Sequence, residues 1–81
     1  MTVQDSMINA LTRAFSPEMV SVENESHMHN VPADSETHFK VTLVSDMFET
    51  QTRVRRHQSV YAVLKDLLSG PVHALALHTF T

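Results

Sequence analysis

The sequence predicts an α+β fold: a two-layer sandwich in which two helices cover one face of a three-stranded mixed sheet, with elements in the order α-β-β-α-β. Three observations carry that expectation. Val3, Met7, Leu11 and Phe15 recur every four residues, which places them along one side of a helix. Val20 and Val22, then Phe39, Val41 and Leu43, alternate with polar neighbours, as half-buried strands do. The chain has 81 residues, enough for one hydrophobic core, so residues 1–81 are expected to form a single domain.

Each element has its own signals. Thr2 precedes the first helix with Asp5 three residues on, a relative of the capping box, and Ser16-Pro17 stops it. Met19 to Glu25 follows as the first strand. Residues 26–37 are polar and include Pro32 and two histidines, so they read as a loop or wide hairpin arm of the length that is often functional. The second strand runs to about Ser45 and should pair antiparallel with the first. Residues 46–52 form a turn. A second helix is expected from Arg53 to Ser69, with Val54, Tyr61, Leu64 and Leu68 along its apolar stripe and Val60 and Leu67 beside it. Gly70 and Pro71 then supply a stop: a residue free to take positive φ, followed by one that cannot continue a helix. Val72 to Phe80 reads as the third strand, with His73, Leu75 and Leu77 on one face and Ala74, Ala76 and His78 on the other. The helix between the second and third strands permits a parallel, right-handed crossover.

Composition removes several functions. Without cysteine the chain has no disulfide, no thiol nucleophile and no thiolate for a cluster of its own. No apolar run approaches a membrane span and no signal peptide opens the chain, so a cytoplasmic protein with no membrane partner is expected. Residues 1–52 hold eight acids against two bases, and residues 53–81 hold four bases against one acid; these give −6 and +3, the net −3 of the chain. Bulk attraction to nucleic acid is therefore excluded, and any such contact must be local. Loose sets of Ser35, Ser45 or Ser59 with histidines can be drawn, but no nucleophile elbow, phosphate loop or HExxH spacing is present. An enzyme is not expected.

Three segments in order (NESHMHNVPADSETHFKVTLVSDMFE, RVRRHQSVYAVLKDLL and GPVHALALHTFT) resemble the BolA-like family over almost the whole chain. The resemblance implies a fold similar to class II KH domains. It also implies two activities: sharing a [2Fe-2S] cluster with a monothiol glutaredoxin and its bound glutathione, and regulating transcription in stress response and cell-shape control. Family members usually continue into another helix and a tail, so a chain truncated at Thr81 is one expectation. A GxxG clamp of the KH type is absent, because Gly70 is the only glycine.

Six histidines carry the metal chemistry (His27, His29, His38, His57, His73 and His78), and four basic residues carry the alternative. The resemblance assigns His73 and His29 as cluster ligands, imidazole replacing thiolate on one iron as in Rieske centres. His27, two residues from His29, is the substitute. His73 and His78, five apart on a strand, point to opposite faces and are rejected as a joint chelate. His38, His57 and His78 read mainly as structural. Arg53, Arg55 and Arg56 at the start of the second helix, with Lys65, are the nucleic-acid candidates; Arg53 and Arg56 share a helix side near a terminus that favours anions. The expected function is thus a non-enzymatic accessory protein of iron-sulfur and iron homeostasis that partners a glutaredoxin. The alternative is a DNA-binding regulator meeting promoter DNA through that basic helix start. Alone, the chain is expected to be a monomer or weak homodimer.

Overall fold

The structure is a computed structural model that describes residues 2–28, 31–32 and 35–81. Helix α1 spans Val3–Phe15, strand β1 Met19–Asn24, strand β2 His38–Val44, helix α2 Arg53–Val63, short helix α3 Lys65–Leu68 and strand β3 Ala74–Phe80. Single 3-10 turns lie at Ser26–Met28 and Asp46–Phe48. The sheet order is β1-β2-β3, with β1 antiparallel and β3 parallel to β2. The mixed three-stranded sandwich expected from the sequence is therefore the observed one.

Strand alternation divides the sheet into two faces. Val22, Phe39, Val41 and Leu43 point at the helices and are buried, joined there by the half-buried Leu75 and Leu77. Met7, Leu11 and Phe15 of α1 close over them, so the four-residue repeat is the buried side. The Thr2 hydroxyl accepts the Asp5 amide at 3.0 Å, as a capping residue should. The Glu36 carboxylate, from the segment entering β2, also accepts the Val3 and Gln4 amides and ties that segment to the helix start.

Three details differ from expectation. The second helix breaks at Leu64, whose φ of −95° and ψ of 10° leave α-helical geometry. No proline or glycine marks the break; the bend lets Leu64 enter the core while Leu67 and Leu68 pack beside it. The inward side of α2 is Val60 and Leu64, whereas Val54 and Tyr61 are exposed. Polar residues flank the first two turns of α2, and the helix meets the core only from its second half. The third strand begins at Ala74, because Val72 is occupied otherwise: its amide donates to Leu67 O at 3.0 Å and its side chain is buried.

Positive φ also falls elsewhere than expected. Ser16 ends α1 at φ 43°, ψ 53°, and Gly70 does not take positive φ.

Candidate functional site

The end of the sheet where β2 and β3 begin gathers histidines. Its foundation is Ser26, a buried polar residue just after β1. Ser26 Oγ accepts the amides of Thr37 at 2.9 Å and His38 at 3.0 Å, with Thr37 Oγ1 at 3.4 Å. Asn24 adds two ties: its Oδ1 accepts the Ser26 amide at 3.0 Å and its Nδ2 donates to Ser35 O at 2.9 Å. A long loop thus has both ends fixed by side-chain to backbone bonds.

Thr37 carries the arrangement across to β3. Its carbonyl accepts the amides of His73 at 2.8 Å and Ala74 at 3.1 Å, which sets the backbone of His73 beside the first residue of β2. His73 lies just before β3 and its side chain is exposed. The His38 and His73 ring centroids are 6.5 Å apart, the planes crossing at 74°. Thr37 Oγ1 lies 2.8 Å from His38 Nδ1, a contact that orients the His38 ring. His27 is exposed on the adjoining 3-10 turn. His29 lies outside the described residues.

His38, like His57 and His78, reads from the sequence mainly as structural. It opens β2 as expected, and it also stands beside His73. Strand register held the signal: a parallel β2–β3 pair that matches His38 to Ala74 brings the residue before Ala74 to His38. Among the described residues no group of three or more His, Asp or Glu side chains converges to hold a metal ion. The donors at this rim are imidazoles, so a cluster here needs thiolates from another molecule; an exposed His73 beside a second, oriented ring fits that chemistry.

The basic residues occupy separate settings. Arg56 is half-buried, donates from Nε to Gln51 O at 3.0 Å and lies 5.9 Å over the Phe48 ring. Its side chain fastens α2 to the preceding turn. Arg55 lies beside Thr50, Gln51, Thr52 and Ser59 in a polar hollow, above which the Thr52 hydroxyl accepts the Arg55 amide at 3.2 Å. Arg53 turns instead toward β3. Lys65, twelve residues from Arg53 and beyond the break, is about 18 Å along the helical path from it at 1.5 Å per residue. These four do not form one continuous patch. No helix among the described residues is long and apolar enough to cross a membrane.

Comparison with known proteins adds sequence and fold evidence. The family described as "BolA-like protein" matches residues 11–81. A protein of Escherichia coli K12 named "DNA-binding transcriptional regulator BolA" is 48% identical over 81 residues, covering 100% of this chain and 77% of the relative. "BolA-like protein 1" of Mus musculus is 49% identical over 71 residues, 88% of this chain and 52% of the relative. Among solved structures, BolA1 from Arabidopsis thaliana superposes with a TM-score of 0.92 at 34% identity, covering 100% of this chain and 93% of that one. The BolA domain of SufE1 from the same plant gives 0.91 at 32% identity, with the same coverage.

Proposed function

The chain belongs to the BolA-like family, and from that premise we propose that it is a non-enzymatic accessory protein that docks on a monothiol glutaredoxin and lends His73 to a shared [2Fe-2S] cluster in iron-sulfur and iron homeostasis. The supporting observation is the exposed His73 at a rim fixed by Thr37 and Ser26, with the His38 ring 6.5 Å away. A [2Fe-2S] cluster supplies a one-electron centre whose potential rises when imidazole replaces thiolate. His73 contributes the principal nitrogen, and His29 is the second, with His27 in reserve. Glutaredoxin and glutathione contribute the thiolates this chain lacks. Acid should release such a cluster, because protons compete with the metal for imidazole nitrogen.

The test is visible circular dichroism of a cluster-loaded monothiol glutaredoxin, with and without this protein. The intact protein should change the spectrum and His73→Ala should not. An identical change with His73→Ala would sink the proposal.

A second reading has its own support. The relative named a DNA-binding transcriptional regulator is 48% identical over the full chain, and the hollow of Thr50, Gln51, Thr52, Arg55 and Ser59 sets one guanidinium among hydroxyls at a helix start. One guanidinium beside the Thr50, Thr52 and Ser59 hydroxyls suits a phosphate contact. Promoter DNA titrated at two salt concentrations should show Arg55→Ala lowering the salt slope by about 1; binding like the parent would remove this reading.

A further inference from the structure

The sheet has two outer edges, β1 and β3, and they are treated differently. On β1 the Gln4 side chain of α1 donates to Val22 O, and the strand carries the exposed charge of Glu23. Both devices blunt an edge against further pairing. β3 has neither. Its seven residues, ALALHTF, run in unbroken register with β2 and include no charged residue, proline or bulge.

The ladder fixes which backbone groups β3 presents outward. Thr37 O accepts the Ala74 amide at 3.1 Å, and Phe80 O accepts the Ser45 amide at 3.0 Å. In a parallel pair every second residue bonds to the neighbouring strand, so Ala74, Ala76, His78 and Phe80 serve β2 and the amides and carbonyls of Leu75, Leu77 and Thr79 face away. Among the described residues nothing bonds to these outward groups. The edge is also open: the hollow of about 270 Å³ beside it is lined by Leu77 and Thr79 from the helix side and by His78 and Phe80 from the opposite face, so it lies beyond the strand and reaches both faces.

We propose that β3 is an interface with a second copy of this chain, the two strands pairing antiparallel about Leu77 to join two three-stranded sheets into one. The strand is complementary to itself in that register. Leu77 meets Leu77 of the second copy, and Leu75 meets Thr79, so all the outward amides and carbonyls find partners in hydrogen-bonded pairs. On the helix-free face Ala76 lies opposite His78, and Ala74 opposite Phe80. These are the closely spaced pairs, and each sets a small side chain against a large one; Phe80, 52% exposed in the single chain, gains cover from this match. With no charged side chain on β3, the strands meet without like-charge repulsion. One pair of seven-residue strands buries less than the about 1,200 Å² of a standard specific interface, so the dimer is reversible. The inference rests on backbone register and is independent of the reading of His73.

Sedimentation equilibrium from about 50 μM to 1 mM, with amide exchange by NMR at both ends of that range, tests the pairing. A monomer–dimer equilibrium with Kd inside the range is expected. The Leu75, Leu77 and Thr79 amides should exchange more slowly at the higher concentration, in proportion to the fall in monomer fraction, while the outward Val20 amide of β1 keeps its rate. Ala76→Lys, at an exposed position, should keep the circular dichroism of the parent and weaken the dimer about tenfold or more by placing a charge on the edge. Register has its own test in a chain without cysteine. Ala76→Cys/His78→Cys places thiols on residues about 4.5 Å apart between copies, within the span of a disulfide, and should oxidise to a covalent dimer much faster than the out-of-register Ala74→Cys/Ala76→Cys. A chain still monomeric at 1 mM, a dimer with unchanged Leu75, Leu77 and Thr79 exchange, an undiminished dimer in Ala76→Lys, or equal cross-linking of the two cysteine variants would each overturn the proposal; the second of these would mean that the copies stack through the helix-free face instead.

Discussion

Replacing Ser26 by alanine removes one oxygen atom and, with it, the fastening of the histidine rim. Ser26 Oγ accepts the Thr37 amide at 2.9 Å and the His38 amide at 3.0 Å, and the residue is only 3% exposed. Alanine keeps the Cβ, so little packing is lost; the change is almost purely polar. A buried donor left without an acceptor costs about 1–3 kcal/mol, and two half-buried amides at the low end of that range give about 2 kcal/mol. A chain of this length has a total stability of about 4–12 kcal/mol, so the loss is a substantial share of it. At about 4–8 °C per kcal/mol, the melting temperature should fall by about 8–16 °C. Urea unfolding followed by far-ultraviolet circular dichroism measures the loss, and an unchanged m-value would show the same surface being exposed. Amide exchange gives the local signature: Thr37, His38, His73 and Ala74 should exchange faster, because Thr37 O also accepts the amides that open β3. A loss under about 0.5 kcal/mol with unchanged exchange at these four amides would refute the assignment of Ser26 as the fastener.

Other substitutions test other joints. Gly70→Ala and Ser16→Gly should each raise stability by about 0.5–1 kcal/mol in thermal melts: a Cβ at Gly70 meets only ordinary contact at 3.4 Å, and Ser16 sits at positive φ where glycine is unstrained. Phe48→Ala should cost about 3–5 kcal/mol in denaturant titration, close to unfolding the chain, because that buried ring packs 5.1 Å from Phe15 and beneath Arg56. Arg56→Ala should cost about 1–2 kcal/mol through its bond to Gln51 O and its seat on Phe48, whereas Arg55→Ala should change stability by less than about 0.5 kcal/mol.

Much of this architecture was readable from residue spacing. The Val3–Phe15 repeat and the alternation in β1 and β2 report which side is buried, and burial is what strand and helix periods encode. The stop after α3 was legible from Gly70-Pro71, although for a different reason than expected: Gly70 keeps a negative φ, and the Gly70 and Val72 amides close the turn on Leu67 O. The bend at Leu64 was not legible, since leucine carries no breaking signal and only tertiary packing selects it. The exposure of Val54 was hidden for the same reason. Spacing placed His73 at the sheet rim, and it lies there exposed. The neighbouring His38 depends on the parallel register between β2 and β3, a long-range match that local periodicity does not carry. Likewise, Arg53 and Arg56 lie on one helix side by spacing, yet Phe48 and Gln51 draw Arg56 into a structural role.

Pulsed electron paramagnetic resonance of the reduced cluster in the complex with a monothiol glutaredoxin reads its ligands directly. With the intact chain, ¹⁴N couplings of imidazole should be present, and His73→Ala should remove the principal one while the purified variant keeps its fold. A cluster surrounded only by sulfur, or nitrogen couplings indifferent to the residue at position 73, would contradict the reading of this rim as a lender of imidazole.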